Sequence, residues 1–307
     1  MTTSPRRLPQ VGVFLPSMTA PGQTPVDMRS AARHLEDLGF ESAWVVDQLV
    51  AGTGVPFLDS TVALTTAAAV TSRIRLGFGV MIVPLHPVVW VAKQVASLQQ
   101  ASADRVILGV GAGGDRHQLA WQAAGVARGE RGKRTDDALR VLPSLIAGEP
   151  TQLGDASVAL APPASVPPIL VGGMSEPAMR RAVDHADGWF LLPALPAAVA
   201  GYAAKLGELA ASRGRPRPTI TAAIGTALTP DPSLPSEDTL IRQLADPDGM
   251  FGIPPEAIPS MLVRGAPAAL AEHLAPYAEA GAERLVISVA GGDWFRQTEL
   301  IARALTS

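Results

Sequence analysis

RIRLGFGVMIVPLHPVVWVAKQVASLQQASADRVILGVGAGG, residues 73–114, decides how this chain reads. It holds two β-branched, apolar runs, Ile74–Val80 and Arg105–Val110, each running into closely spaced glycines, with a helical pattern over Pro87–Ser102 between them. Glycine has no Cβ, so a strand that stops at glycines lets another group approach its carboxyl end. Two such ends in consecutive units point to a shared site at one end of a parallel sheet.

The same rhythm extends in both directions. Upstream stand Val11–Leu15, a helix over Asp27–Leu38 that stops at Gly39, then Ser42–Val46 and a helix over Asp59–Val70. Downstream, a long loop leads from the fourth strand to a helix over Arg131–Ala147. Ile169–Val171 then precedes a helix from Ser175, and Gly188–Leu192 precedes one over Ala197–Ser212. Thr219–Ala227 is followed by a long insertion and a helix over Pro267–Ala280. Leu285–Val289 and a helix from Asp293 finish the series. Strict strand–helix alternation implies parallel strands with right-handed crossovers. The runs are almost continuously apolar, as in strands covered on both faces. Eight such units in 307 residues predict a (β/α)8 TIM barrel spanning 1–307 as one domain, and the count decides against an open doubly wound sheet. Two segments break the rhythm. Thr151–Ala161, with Gly154-Asp155 at its centre, reads as a small hairpin. Residues 229–262, rich in Pro and Asp, form an insertion after strand 7, which reads either as a lid over the carboxyl face or as a surface or dimer contact.

Composition narrows the function. A net charge of −3 with no basic block argues against nucleic acid as a partner. The chain has no cysteine, which excludes disulfides, thiolate metal sites and a cysteine nucleophile. Its three lysines, Lys93, Lys133 and Lys205, lie in helical patterns and not at strand ends, where a Schiff-base lysine would stand. No apolar run reaches the roughly 18–20 residues of a membrane helix, and the N-terminus lacks a signal-like apolar region, so a soluble cytoplasmic protein is expected. No His, Asp and Glu set has ligand spacing, so no metal is expected, and no G-x-S-x-G elbow is present.

The remaining motifs gather at strand ends. Gly109-Val110-Gly111-Ala112-Gly113-Gly114 meets the dinucleotide G-x-G-x-x-G spacing but runs into Asp115-Arg116-His117 with no acid-terminated strand after it. A glycine-cleared strand end in a barrel explains it better. Val171-Gly172-Gly173-Met174-Ser175-Glu176-Pro177 ends a strand, supplies an N-cap at Ser175 and sets the first helical turn with Pro177. Free amides there form an anion site, the phosphate cradle of this reading; a tight turn with nothing bound is the alternative. Asp47-Gln48 closes strand 2, suited either to the edge of a ligand ring or to a rim cap. Of five histidines, His34, His185 and His273 fall on helices, whereas His86 and His117 follow strands 3 and 4 and are candidates for proton transfer or substrate contact.

Gly39–Asp47, Thr71–Gly77, Ile107–Gly114, Arg131–Leu139, Pro168–Gly173, Asp187–Phe190 and the Ala280-Gly281-Ala282 turn, in that order, resemble the bacterial luciferase-like superfamily and, within it, the branch that uses coenzyme F420. The resemblance implies an oxidoreductase with F420 held at the carboxyl face, and hydride exchange between the deazaflavin C5 and a small organic substrate. Asp47 and Gln48 are then expected at the ring edge, with Gly79–Val80 under its face as a bulge, often with a non-prolyl cis peptide. Gly111, Ala112 and Gly113 would give close approach. Gly172, Gly173 and Met174 would hold the phosphate, with Val171 and Leu192 beside them. His86, Trp90, Asp115, His117 and Trp121 are the substrate-side candidates. Many members carry Asp-His where this chain has Asp47-Gln48, and the glutamate of some sugar-phosphate dehydrogenases is replaced by Gly114-Asp115. Both departures favour a neutral or apolar substrate. The alternatives are an FMN-dependent monooxygenase supplied by a flavin reductase, and a non-catalytic cofactor-binding barrel. The family commonly forms homodimers.

Overall fold

The computed structural model describes residues 8–19, 25–50, 56–114, 118–245 and 253–306. The amino-terminal half runs β1 (Gln10–Phe14), α1 (Met28–Asp37), β2 (Ser42–Val45), α2 (Ser60–Ala68), β3 (Arg75–Phe78), β4 (Met81–Ile82) and α3 (Val88–Ser102). It continues with β5 (Val106–Gly111), α4 (Gln118–Ala123), α5 (Arg131–Ile146) and the hairpin β6 (Thr151–Leu153) and β7 (Ala156–Val158). Then follow β8 (Ile169–Gly172), α6 (Glu176–His185), β9 (Gly188–Leu191), α7 (Pro196–Ser212) and β10 (Thr219–Leu228). The chain ends with α8 (Glu237–Ala245), α9 (Ile258–Met261), β11 (Leu262–Gly265), α10 (Pro267–Glu279), β12 (Arg284–Val289) and α11 (Trp294–Thr306). The first two helix starts are set locally: Asp27 and Asp59 cap α1 and α2 by accepting the amides of Ser30 and Val62 at 3.2 and 2.8 Å.

The strands close a parallel barrel in the order β1, β2, β3 with β4, β5, β8, β9, β10, β12 and back to β1. Side chains alternate along each strand. Val11, Val13, Val106, Leu108, Ile169, Val171, Leu285 and Ile287 point outward under the helices, while Trp44, Ile107, Leu170, Phe190, Ala223 and Val286 fill the interior with Phe14 and Val80 above them. Below this layer Arg284 plugs the amino end, bidentate on Glu41 at 2.8 and 2.9 Å and bonded to Gln10 at 3.0 Å. Its guanidinium carbon lies 5.9 Å from the centre of the Trp44 ring.

Trp44 dictates two glycines. A Cβ on Gly77 would fall inside the indole, and one on Gly12 would stand 2.5 Å from its Nε1. That nitrogen donates to Ser42 Oγ at 2.7 Å. The interior is therefore packed solid up to Phe14 and Val80, and a ligand can enter from the carboxyl end alone.

Strand 3 does not run unbroken over Ile74–Val80: it divides into β3 and β4 at Gly79–Val80, where the resemblance implied a bulge. Two features depart from the reading of the sequence. The loop after strand 4 contains α4. The 229–262 insertion carries α8 and α9 and leads into a further parallel strand, β11, beside the upper half of β10 (Gly225–Leu228), whose lower half (Thr219–Ala222) pairs with β9. At four residues it is too short to show a strand period in sequence. Among the described residues, no helix is long and apolar enough to cross a membrane.

Candidate active site

The break in strand 3 shapes the barrel mouth. Leu76 stands opposite Val106 and Met81 opposite Val110, so five steps along one strand face four along the other. This is a bulge with one extra residue. The Gly79–Val80 peptide within it is cis. Val80 turns into the barrel and lands on three glycines: a Cβ on Gly109, Gly111 or Gly172 would come within 2.7, 2.5 and 2.8 Å of its methyl carbons. The glycines at the ends of strands 4 and 5 thus make room for Val80, and Gly109 also for the Phe78 carbonyl, which its Cβ would overlap. The sequence reading gave Gly111 to close approach of the cofactor ring and Gly172 to the phosphate cradle; in the structure Val80 is the side chain that neighbours both. Gly113 differs again: it takes φ +70°, and a Cβ there would meet the Trp121 ring and Ile82.

Asp47, immediately beyond β2, holds the bulge from the other side. Its Oδ2 accepts the amide of Ile82 at 2.8 Å and faces His86 Nε2 at 3.2 Å, and Oδ1 accepts Ser60 Oγ at 2.9 Å. The side chain is only 7% exposed. Burial alone would raise its pKa, but the His86, Ile82 and Ser60 contacts outweigh that and hold the carboxyl below its usual range. His86 closes the short 3-10 turn Val83–Leu85. The hydrogen bond to Asp47 raises its pKa against the opposing effect of burial, and the charges of Asp47 and Asp59 add to the rise. The site therefore favours an imidazolium paired with a carboxylate.

Beside this pair Gln48 is buried, with its Nε2 donating to the Val50 carbonyl at 3.0 Å and its Oε1 without a partner among the described residues. Trp121, on α4, is buried with Ile82, Leu85 and Ala120, and its indole N–H likewise has no partner among the described residues. Buried polar atoms normally find partners, so an orphan acceptor at a barrel mouth suits a ligand donor.

Across the mouth β8 ends at Gly172. Gly173, at φ +118°, donates its amide to the Phe190 carbonyl at 3.1 Å and accepts Trp189 Nε1 at 2.6 Å. Its amide is thus committed to the sheet. Ser175 caps α6 by accepting the Ala178 amide at 3.4 Å, and Pro177 has no N–H. The anion-binding potential lies at the first turn of α6, beyond Gly173.

Residues 10–234 match the family model for luciferase-like monooxygenases. The chain belongs to that family. An uncharacterised protein of Mycobacterium tuberculosis is 35% identical over 142 residues, 44% of this chain and 48% of that protein; the chain thus matches about half the length of this curated relative. Among solved structures, an F420-dependent secondary alcohol dehydrogenase in complex with an F420–acetone adduct superposes with a TM-score of 0.80 at 16% identity, covering 97% of this chain and 98% of the other. The monooxygenase RslO1 from Streptomyces bottropensis gives 0.74 at 18%, with the same coverage. At these identities the likeness is one of fold.

On this luciferase-like barrel, the structure gathers Asp47, Gln48, Val80 and His86 on one side of the mouth and Gly172, Gly173 and Met174 on the other. Val171 is buried outward in β8, and Met174 is half-buried against the main core. Leu192 and Trp90 are largely exposed, at 57% and 65%, on the loop after β9 and the first turn of α3. Asp115 and His117 lie outside the described residues. The reading of the sequence missed Ser60, which acts on Asp47 from α2, and Phe14, which shares the floor with Val80. Phe14 was legible as the inward partner of Gly12; Ser60 gave no signal of its own.

Proposed function

We propose that this chain is an F420-dependent oxidoreductase acting on a small, neutral organic substrate. The observation that carries the reading is the seating of Val80 on Gly109, Gly111 and Gly172, with Asp47 fastening the strand beyond it. Together with Phe14, this makes an apolar platform of fixed height at the mouth, as a flat ring system needs. Gln48 Oε1 is an acceptor for a ring N–H, and the start of α6 is the place for the cofactor's phosphate. A deazaflavin or flavin fits both. When bound, the cofactor supplies hydride at C5; the protein positions it, excludes water and handles the proton. The F420-dependent alcohol dehydrogenase superposes end to end, so the fold accommodates a deazaflavin; the preference for it over FMN rests on the sequence resemblance to the F420 branch. A flavin monooxygenase is the second reading, supported by the equally complete superposition on RslO1.

Titration of the purified protein with F420 and with FMN decides between them. The proposal expects saturable F420 binding clearly tighter than that of FMN. Tighter FMN binding, with substrate-dependent oxygen consumption on adding reduced flavin, would replace it with the monooxygenase.

A further inference from the structure

We infer that the substrate lies in the arc of the mouth over β9, β10 and β12, hydrogen-bonded to Ser288 Oγ, and that it is a neutral molecule whose apolar body rests on Leu262. The inference rests on the ring-cofactor reading above. That reading gives the cofactor the platform of Val80 and Phe14, the end of β2 and the start of α6 after β8. In the order of the barrel, the arc left over is β9, β10 and β12.

Strand alternation fixes what faces this arc. On β12, Leu285 and Ile287 point outward into the main core and Val286 points inward. Ser288 is the next inward residue. The four residues before it are buried and Ser288 is exposed, so open space begins at its level. Its hydroxyl has no partner among the described residues. The β1–β12 register, Gln10 with Arg284 through Val13 with Ile287, sets Phe14 beside Ser288 at the next step. The hydroxyl therefore borders the platform, next to the place of the ring. On the other side the register pairs Ser288 with Gly225 of β10, and Gly225 with Leu262 of β11. Gly225 offers no side chain, and a Cβ there would stand 3.1 Å from Leu262 Cδ1. Leu262 thus supplies the apolar wall that β10 lacks, while Val263 turns outward into the core.

That wall is fixed. The Thr229 amide donates to the Gly265 carbonyl at 2.8 Å, closing the insertion at its stem. Asp231, 8% exposed, accepts the Ser233 amide and hydroxyl, the Asp293 amide and Gln297 Nε2 at 2.7 to 2.9 Å. Gln297 also clasps the amide and carbonyl of Leu228, each at 2.8 Å. The charged side chains of these segments are committed: Asp231 as described, and Arg264 to Glu237 at 2.6 Å. A charged ligand group would lose hydration here and find no counter-ion among them. A neutral polar group needs only the Ser288 hydroxyl, which both donates and accepts.

The test loads the protein with F420 and follows the cofactor's fluorescence as benzamide, benzoate, benzylammonium or toluene is added. These probes share a phenyl ring and differ in charge and hydrogen bonding. Benzamide should bind, with benzoate and benzylammonium weaker by about tenfold or more. Ser288→Ala should weaken benzamide about fivefold, leave toluene unchanged and keep F420 affinity within about twofold. Leu262→Ala should weaken benzamide and toluene alike, by about fivefold. A residue that only shapes the barrel would move toluene together with benzamide, so equal losses in Ser288→Ala overturn the inference. Tighter binding of either ion, weakened F420 in Ser288→Ala, unaltered probe binding in Leu262→Ala, or no benzamide binding by about 20 mM overturns it too. Failure to bind F420 instead overturns the cofactor reading; the same probes, followed by ligand-observed NMR on the cofactor-free protein and on Ser288→Ala, then decide the Ser288 contact.

Discussion

Asp47 Oδ2 stands 3.2 Å from His86 Nε2 and 2.8 Å from the amide of Ile82, so one carboxylate oxygen joins an imidazole to the strand that follows the bulge. Charge and architecture are coupled at this point. The pair also has a stability signature with a definite pH window. His86, its pKa raised, contributes fully below its unfolded value of about 6.5, and that contribution is lost as pH rises through the folded value. Asp47, its pKa lowered, contributes fully above about 3.8, and that contribution is lost as pH falls through the folded value. Asp47→Asn should therefore cost most, about 1–3 kcal/mol, between about pH 4 and 6.5. Urea melts across pH check this; a cost that is flat with pH would separate Asp47 from His86.

Gly111→Ala should place a methyl 2.5 Å from a Val80 methyl carbon and so push on the bulge. Overpacking of this kind costs about 1–3 kcal/mol. Val80→Ala removes the obstacle, so the double variant should recover part of the loss, with a coupling of about 0.5–2 kcal/mol. Denaturant melts of the four proteins give the cycle, and additive effects would mean that Val80 is not what Gly111 accommodates. Cofactor affinity should fall in Gly111→Ala and not return in the double variant, which lacks the platform.

Gln48→Leu separates a ligand contact from a structural one. The substitution removes an unpartnered acceptor along with one hydrogen bond to the Val50 carbonyl, so folding stability should change by less than about 1 kcal/mol. Cofactor binding should weaken about tenfold or more, the loss of one good hydrogen bond in a buried site. Unaltered binding by fluorescence titration would remove Gln48 from the site.

Gly173 and Ser175 make a matched pair of tests at α6. Ser175→Ala loses the N-cap and should cost about 1 kcal/mol. Gly173→Ala meets no close neighbour but must hold φ at +118°, so its cost, about 1–3 kcal/mol, is conformational. If the first turn of α6 holds the phosphate, both variants should weaken cofactor binding beyond their effect on stability. Affinity for a dephosphorylated cofactor analogue, already weaker in the wild type, should respond little to either.

Eight apolar runs alternating with helical patterns were enough to determine the barrel, because strand count and alternation are local properties of a chain. The strand-end glycines, Asp47-Gln48 and Ser175-Glu176-Pro177 marked the carboxyl face for the same reason. What those glycines accommodate was decided only in three dimensions. Gly77 yields to Trp44, Gly12 to Ser42 and Trp44, Gly111 and Gly172 to Val80, and Gly109 to Val80 and the Phe78 carbonyl, because neighbouring strands compete for one interior volume that no linear spacing encodes. Likewise the sequence left Asp47 open between a ligand contact and a rim cap, and folding alone brought Ile82, Ser60 and His86 to its two oxygens. A buried carboxylate takes whatever donors the fold supplies, and here they come from α2 and from the stretch 82–86 after the bulge.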